Sequence, residues 1–231
     1  DHGVFTTMWV FGNPPKILFF NNHINNLIKS CKAYSIDKLS IRSDILQLLK
    51  KNLDPKKKYN HLLRIALNKN IISISIRKKV NPSLNFNLKL VNLKRQKPEF
   101  KNLKYKQILY CLSKLNNSKS DIGLCTDKKI YETGTSNILF VKDEIYYSPV
   151  KKFYKGITYK FFKSKIKKIM NKDILINSLH AYDEIILIGS GKGVASVKSI
   201  DQINWKRKSL NSYYKLLKFY KTAISKCPRY K

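Results

Sequence analysis

The fold of this chain is decided by the stretch Tyr131-Glu132-Thr133-Gly134-Thr135-Ser136-Asn137-Ile138-Leu139-Phe140-Val141. Lys129–Tyr131 predicts one strand, and the apolar run Ile138–Val141 predicts a second strand that is buried. Between them, a Gly-Thr-Ser turn places polar side chains where the two strands meet. Glu132 stands out because the chain has only 14 acidic residues among 231. A carboxylate between a strand and a polar turn therefore predicts a functional role.

Strand and helix patterns continue on both sides of this stretch. Glu184–Ile188 predicts a buried strand, and a helix is predicted from Gly156 to Met170. The N-terminal half groups its helices and strands rather than alternating them strictly, which indicates an α+β fold. The other predicted strands are Val4–Phe11, Ile17–Phe20, His61–Leu67, Ile71–Ile76, Ile122–Thr126, Ile145–Tyr147 and Val194–Val197. The other predicted helices begin near Asn21, Ile41, Tyr105 and Leu210.

A polar passage rich in Lys and Asn separates two predicted lobes. It contains Pro98, which favours a linker over a continuous helix or strand. We predict a small N-terminal lobe at residues 1–85, a linker at 86–100 and a C-terminal lobe at 101–231. A chain of this length buries enough apolar surface to fold without a disulfide or metal scaffold.

The formal net charge of +33 has two interpretations. Such a charge is typical of proteins that bind polyanions. Only 6 of the 47 basic residues are Arg, however, and the Lys residues are spread through every segment. Proteins that read nucleic acids favour Arg, whose planar guanidinium suits phosphates and base edges. We therefore expect a solvated lysine-rich surface that binds polyanions non-specifically and in a salt-dependent way, with a basic nucleic-acid-binding protein as the alternative.

Other classes of protein are disfavoured by the sequence. No apolar run approaches the roughly 18 residues of a membrane span. The four cysteines form no C-x-x-C pair and have no His at ligand spacing, so we predict neither a metal site nor a disulfide framework. We expect the protein to be located in a reducing compartment. The glycine-rich turn Gly189–Gly193 lacks the spacing of nucleotide-binding motifs. It is compatible with a close approach of the backbone to some other ligand.

Four segments, in this order, resemble the class IV (fold-type IV) aminotransferases, which use pyridoxal 5'-phosphate. They are Asp1-His2-Gly3-Val4-Phe5-Thr6-Thr7, Pro98-Glu99-Phe100-Lys101-Asn102-Leu103-Lys104, Tyr131–Val141 with the following Tyr147-Ser148-Pro149 and Lys155-Gly156-Ile157-Thr158, and Asp183-Glu184-Ile185-Ile186-Leu187-Ile188-Gly189-Ser190-Gly191. The resemblance covers nearly the whole chain. It implies a two-lobed fold like that of D-amino-acid aminotransferase, with a pseudo-barrel C-terminal lobe. It also implies an N-terminal α/β lobe whose first strand would precede Asp1.

The resemblance assigns roles to residues in these segments. It implies that a lysine bonds to the cofactor. The number of residues between this lysine and the preceding proline, Pro98, selects Lys104 over Lys101 and Lys106. It implies that Glu132 faces the pyridine nitrogen and keeps it protonated. The further cofactor contacts that it implies, at the turn and at a helix start suited to a phosphate, are Thr135, Ser136, Asn137, Ile157 and Thr158. Thr158 also fits the simpler role of a helix cap.

One position departs from the family pattern. The family has a His followed three residues later by an Arg that binds the phosphate, whereas here His23 is followed by Asn26. The loss of a charge-assisted hydrogen bond costs about 1.5–3 kcal/mol. Lys29 lies one helical turn from Asn26, and we expect it to substitute as a point charge. Weak cofactor binding, or a protein that has lost catalysis, stays open.

Within the family, the resemblance is to 4-amino-4-deoxychorismate lyase of the plant-like type. That enzyme eliminates pyruvate from its substrate to give 4-aminobenzoate, a folate precursor. The resemblance implies that Lys104 moves a proton and that Thr7 lies at the reacting centre, although Thr7 also fits an ordinary cross-strand hydroxyl. It places Phe5, Ser190 and Gly191 at the substrate. A D-amino-acid or branched-chain aminotransferase is the alternative.

The resemblance also bears on partners and location. It implies a homodimer that acts on a small-molecule substrate. We expect no bound metal, no specific nucleic-acid partner and no membrane partner. The expected location is the cytoplasm or the matrix of a plastid-like organelle.

Overall fold

A computed structural model describes residues 2–36 and 40–230 of the chain. Asp1, which begins the first of the four segments, lies outside the described residues. The chain divides into two compact units. Unit 1 comprises Asp1–Lys79, Phe100–Lys104 and Ala223–Lys231, and unit 2 comprises Val80–Glu99 and Tyr105–Thr222.

Unit 1 is built around a long antiparallel strand pair. Its strands are β1 (Val4–Gly12), β2 (Lys16–Ile17), β3 (Tyr59–Leu67) and β4 (Ile72–Lys78), in the sheet order β2-β1-β3-β4. Its helices are α1 (Phe20–Ala33) and α2 (Ile41–Asn52). One face of β1 packs on the helices through side chains that include Val4, Met8 and Val10. Alternate side chains point to opposite faces of a strand, so Phe5 and Thr7 lie on the other face.

Unit 2 holds a larger mixed sheet. Its strands are β5 (Phe86–Asn92), β6 (Ser120–Thr126), β7 (Lys129–Thr133), β8 (Asn137–Lys142), β9 (Ile145–Ser148), β10 (Ile169–Asn171), β11 (Ile174–Leu175), β12 (Glu184–Gly189), β13 (Gly193–Ile200) and β14 (Trp205–Lys206). The main path is β10-β9-β8-β12-β13-β5-β6-β7-β11, and β14 pairs with β13. The pairs β9–β10, β5–β13 and β5–β6 are parallel, and the others are antiparallel. The helices are α3 (Lys106–Ser113), α4 (Ile157–Lys165) and α5 (Asn211–Ser225), the last of which continues into unit 1.

The central strands of unit 2 are buried on both faces, which explains their continuous apolar sequence. Ile185–Ile188 in β12 and Ile138–Phe140 in β8 are each at most 1% exposed. Glu184, at the start of β12, is buried as well, and its carboxylate accepts the amide protons of Ser212 (2.8 Å) and Tyr213 (2.9 Å). This contact satisfies two donors that the first turn of α5 would otherwise leave unpaired. Among the described residues, no helix is long and apolar enough to cross a membrane.

The α+β, two-part fold that the sequence predicts is confirmed, but several boundaries differ. The predicted linker at 86–100 contains β5, whose Phe86 and Leu88 are buried in unit 2. The change of unit occurs at Lys79, and the segment Phe100–Lys104 returns to unit 1. The predicted helix from Gly156 to Met170 ends at Lys165, since the chain enters β10 at Ile169. The predicted strand at Ile17–Phe20 stops at Ile17, because α1 already begins at Phe20.

Candidate functional site

In unit 1, the outward face of β1 carries Phe5 and Thr7. Thr7 is half-buried and lies directly opposite Arg64 of β3. The guanidinium carbon of Arg64 lies 4.6 Å from the centroid of the Phe5 ring, within the range of a cation–π contact. An apolar ring, a hydroxyl and a guanidinium therefore share one surface of the sheet.

The other face of β1 holds a buried polar pair. The hydroxyl of Thr6 lies 2.8 Å from Nδ1 of His23 on α1. Burial, reinforced by the positive charge of Lys101, lowers the pKa of His23 to about 3. His23 is consequently a neutral imidazole at physiological pH, and it links α1 to β1 through a hydrogen bond.

Lys101 and Lys104 have different surroundings in unit 1. The amide of Phe5 donates to the carbonyl of Lys101 (2.9 Å), and the amide of Leu103 donates to the carbonyl of Gly3 (3.0 Å). Lys101 is half-buried, and its Nζ lies 5.3 Å from the centroid of the Phe5 ring. Lys104 is exposed. The ammonium group next to the outward face of β1 is therefore that of Lys101.

Only glycine allows this pairing at the start of β1. A Cβ atom at Gly3 would lie 2.5 Å from the carbonyl oxygen of Leu67 and 2.8 Å from the side chain of Leu103. Both distances are far below van der Waals contact. The glycine of the first sequence segment thus has a packing role, because it lets the lysine-bearing segment lie against the sheet.

On α1, the positions expected to meet a phosphate carry no buried cation. Asn26 is half-buried, and its carbonyl accepts a hydrogen bond from the Ser30 hydroxyl (2.9 Å). Lys29 is exposed. Exposed charges act on an anion through a high dielectric and are screened by salt, so Lys29 is a weak substitute for an arginine.

In unit 2, Glu132 on β7 is buried and paired with Arg95. Nε of Arg95 lies 3.0 Å from Oε1 of Glu132, and the two side chains are 7% and 5% exposed. Nη2 of Arg95 also donates to the carbonyl of Gly134 (3.2 Å). Arg95 therefore fixes both the carboxylate and the turn that follows it. Arg95 was not identified from the sequence, because it meets Glu132 across 37 residues of sequence.

The turn between β7 and β8 is held by internal hydrogen bonds. The amide of Ser136 donates to the Thr133 hydroxyl (2.9 Å), and the hydroxyls of Thr133 and Thr135 both donate to Asp121. Thr135 is exposed, but its hydroxyl is already engaged, whereas Ser136 is buried beside Gly189. Both residues were predicted to contact the cofactor, but the hydroxyl of Thr135 instead stabilises the turn through its hydrogen bond to Asp121.

Asn137 connects the turn to the start of α4. Its side-chain oxygen accepts the amide proton of Gly156 (3.1 Å), and its side-chain amide donates to the carbonyl of Tyr154. A Cβ atom at Gly156 would lie 2.8 Å from that same oxygen, so the site requires a glycine. Asn137 thus fixes where α4 begins.

Three hydroxyls and a helix start lie close together in unit 2. Thr158, in the first turn of α4, has its Oγ1 3.4 Å from Oγ of Ser190. A Cβ atom at Gly189 would lie 2.9 Å from Oγ of Ser136, which places the turns after β7 and β12 in contact. The first amides of a helix lack partners within the helix and carry partial positive charge. Ser136, Ser190, Thr158 and Ile157, with the adjacent Gly191, therefore form a site suited to a phosphate group.

The structure thus brings the predicted residues together within two groups. Phe5, Thr7 and the predicted Lys104 belong to unit 1, where Lys101 and not Lys104 is the lysine beside Phe5, and Glu132, Ser136, Asn137, Ile157, Thr158 and Ser190 belong to unit 2. Within the described ranges, 2–36 and 40–230, no group of three or more His, Cys, Asp or Glu side chains could hold a metal ion.

The sequence also matches a known protein family. The sequence model of the family "Amino-transferase class IV" matches residues 3–200. Members of that family use pyridoxal phosphate. No curated protein matches the chain significantly at the level of sequence.

Solved structures with the same fold include one candidate lyase and several aminotransferases. A candidate 4-amino-4-deoxychorismate lyase from Legionella pneumophila is 17% identical, with a TM-score of 0.77 over 96% of this chain and 91% of that one. The branched-chain aminotransferase of Thermoproteus uzoniensis, solved with norvaline, is 15% identical, with a TM-score of 0.78 over 96% and 84% of the two chains. The branched-chain aminotransferase of Thermobaculum terrenum, solved in its pyridoxal-phosphate form, is 13% identical, with a TM-score of 0.75 over 97% and 85%. Identities this low show the fold alone.

Proposed function

The chain belongs to the amino-transferase class IV family, and on that premise we propose that it is a 4-amino-4-deoxychorismate lyase of the plant-like type. In this reaction the C–O bond to the enolpyruvyl group breaks, a ring proton leaves C4 of the substrate, and the products are 4-aminobenzoate and pyruvate. The proposal rests on the position of Thr7, whose side chain lies opposite Arg64 on the outward face of β1.

The residues of unit 2 fit the cofactor of the family. Pyridoxal phosphate, when bound, withdraws electrons from a substrate amine attached to it. The hydroxyls of Ser136, Thr158 and Ser190 and the first amides of α4 suit its phosphate. Glu132 would interact with its pyridine nitrogen, while Arg95 holds that carboxylate in place through the contact of 3.0 Å.

Lys101, rather than Lys104, is our candidate for the lysine that bonds to the cofactor. A lysine becomes reactive when it is partly desolvated or lies near other cations. Lys101 is half-buried, and its Nζ lies 5.3 Å from the centroid of the Phe5 ring, which Arg64 also contacts. Lys104 is exposed. The spacing from Pro98 that selects Lys104 does not account for how the segment pairs with β1.

In the proposed reaction, the residues of unit 1 handle the proton and the substrate carboxylate. Lys101 Nζ would take the proton from C4 of the substrate ring, and the Thr7 hydroxyl would hydrogen-bond the departing enolpyruvyl group. Enolpyruvate then gains a proton from the site and becomes pyruvate. Arg64 is suited to a carboxylate of the substrate, because a guanidinium binds carboxylates in a charge-assisted and often bidentate way.

The proposal is tested by product analysis of the purified chain with pyridoxal phosphate. With aminodeoxychorismate as substrate, we expect equal amounts of 4-aminobenzoate and pyruvate. Amino transfer between an amino acid and a 2-oxo acid, without 4-aminobenzoate, would instead identify an aminotransferase. Failure to bind pyridoxal phosphate would identify a family member that has lost catalysis.

The role of Thr7 is tested by three variants. Thr7→Val is expected to lower kcat for 4-aminobenzoate formation by about 10–100-fold, without a change in pyridoxal phosphate affinity. Thr7→Ser keeps the hydroxyl and should restore most of the rate. Ser73→Ala removes an exposed hydroxyl from the same sheet and serves as the control. Equal rates for the wild type and Thr7→Val would contradict the assignment.

A further inference from the structure

Asp121 is a buried carboxylate at the start of β6, and it is 0% exposed. One of its oxygens, Oδ2, accepts hydrogen bonds from the hydroxyls of Thr133 (2.9 Å) and Thr135 (2.7 Å). The same oxygen lies 3.1 Å from Nζ of Lys192, whose side chain is 9% exposed. The other oxygen accepts the amide proton of Ile122 (2.8 Å). The carboxylate is therefore fully engaged, and a buried ammonium compensates its charge.

These contacts join two separate turns. Thr133 is the last residue of β7 and Thr135 belongs to the turn that follows it, whereas Lys192 belongs to the turn between β12 and β13. Nζ of Lys192 also donates to the Thr135 hydroxyl (2.8 Å), which closes a triangle of polar contacts. The contact between Ser136 and Gly189 lies beside this triangle.

We propose that Asp121 and Lys192 are positioning residues that set the separation between the Ser136 and Ser190 hydroxyls and so prepare the phosphate site. This inference rests on the proposed cofactor. Neither residue would touch the phosphate, because each is held by the other and by Thr135. Their effect passes through the Thr133 hydroxyl, which receives the Ser136 amide proton.

The opposite charges of Asp121 and Lys192 keep the two turns together. If one partner of a buried ion pair is removed, the other is left as an uncompensated buried charge and must move towards water. The Lys192 turn would then shift away from the turn after β7, together with Ser190. Removal of both charges at once, with side chains that still hydrogen-bond, leaves no such force. A neutral Asn–Gln pair should therefore restore the spacing that either single change disturbs.

Equilibrium dialysis with two ligands tests this inference. Pyridoxal phosphate and pyridoxal differ only in the phosphate, so their affinity ratio reports on the phosphate site. For Lys192→Gln we expect the affinity for pyridoxal phosphate to fall about tenfold, while the affinity for pyridoxal stays within about twofold. The double variant Asp121→Asn/Lys192→Gln should recover most of the loss. Lys192→Arg, which keeps the charge, should lose less than Lys192→Gln.

The exposed ion pair between Lys129 and Asp173 provides the matched control. It has a short contact of 2.7 Å in the same unit, but its side chains are 34% and 47% exposed. Lys129→Gln should leave both affinities unchanged.

An equal loss for the two ligands in Lys192→Gln, or no loss at all, would overturn the inference. If the wild type binds pyridoxal but does not prefer pyridoxal phosphate, the phosphate site and this inference both fail. Binding of neither ligand by the wild type would overturn the proposed function together with this inference.

Discussion

Two regions for which the resemblance implies phosphate contacts, one in each unit, are built in different ways. The turns of unit 2 around Ser136 and Ser190 are fixed by buried, paired charges, with Asp121 against Lys192. In α1 of unit 1, the position of the family arginine holds Asn26, and the nearest substitute, Lys29, is exposed. Buried hydrogen bonds hold a site in place, whereas an exposed charge contributes little at physiological salt. Phosphate affinity in this chain should therefore depend on unit 2.

The largest expected effect concerns the lysine of unit 1. Lys101→Ala should lower the rate of 4-aminobenzoate formation by at least about a thousandfold, because it removes both the group that bonds to the cofactor and the group that moves the proton. The measurement is steady-state kinetics with added pyridoxal phosphate. Lys104→Ala serves as the control and should stay within about threefold of the wild type. The opposite ranking of the two variants would restore the assignment to Lys104.

The next effect concerns the buried charges of unit 2. Arg95→Met removes the guanidinium that lies 3.0 Å from the buried Glu132 carboxylate, and we expect the free energy of unfolding to fall by about 3–5 kcal/mol. Urea denaturation measures it, and Arg77→Met, at an exposed position of β4, should change it by less than about 0.5 kcal/mol. The double variant Arg95→Met/Glu132→Gln should regain part of the stability. If Arg95→Met were as stable as Arg77→Met, the buried pair would not support unit 2.

A smaller effect would sharpen the contrast at α1. Asn26→Arg restores the charge of the family pattern, and we expect the affinity for pyridoxal phosphate to rise about tenfold through a charge-assisted hydrogen bond. Asn25→Arg adds the same charge at the adjacent exposed position, and its effect should be within about twofold. Equal gains from the two variants, measured by equilibrium dialysis, would indicate a general attraction of anions rather than a phosphate contact at residue 26.

The last prediction concerns the pH dependence of stability that His23 contributes. Its pKa is lowered from 6.5 to about 3 by burial and by the charge of Lys101, so between these values the unfolded chain binds one more proton than the folded chain. Stability from this group is complete above pH 6.5 and declines by up to about 1.4 kcal/mol per pH unit as the pH falls towards 3.

His23→Gln should flatten this part of the pH profile, as measured by urea denaturation between pH 7 and pH 4.5. His180→Gln, at an exposed position, should leave the profile unchanged. A slope in the His23→Gln variant that equals the wild-type slope would show that His23 is not the group responsible.

The sequence predicted those parts of the fold that depend on local periodicity. The buried runs of β8 and β12 and the strand pattern of β1 are visible in the order of apolar residues. The sequence misplaced β5 in a linker, because its Lys and Asn residues are on the surface while Phe86 and Leu88 alternate into the core. The polar composition of β5 made its alternation of buried and exposed residues hard to recognise in the sequence.

Some residues of the candidate site could be predicted from the sequence, and others could not. Glu132, Ser136 and Thr158 could be identified because they lie at turns with recognisable chemistry. Arg95 and Lys192 could not, since each meets its partner across at least 37 residues of sequence and only the folded sheet brings the charges together. The choice between Lys101 and Lys104 likewise depends on the pairing of their segment with β1, which no count of residues from Pro98 reveals.

Reductive trapping of the lysine tests the central claim most directly. The purified protein would be mixed with pyridoxal phosphate, reduced with borohydride and digested, and the modified lysine would be mapped by mass spectrometry. We expect a stoichiometric adduct on Lys101 alone. Labelling scattered over many of the 41 lysines, or no adduct, would contradict a formed cofactor site, and a single adduct on Lys104 would contradict the assignment to Lys101.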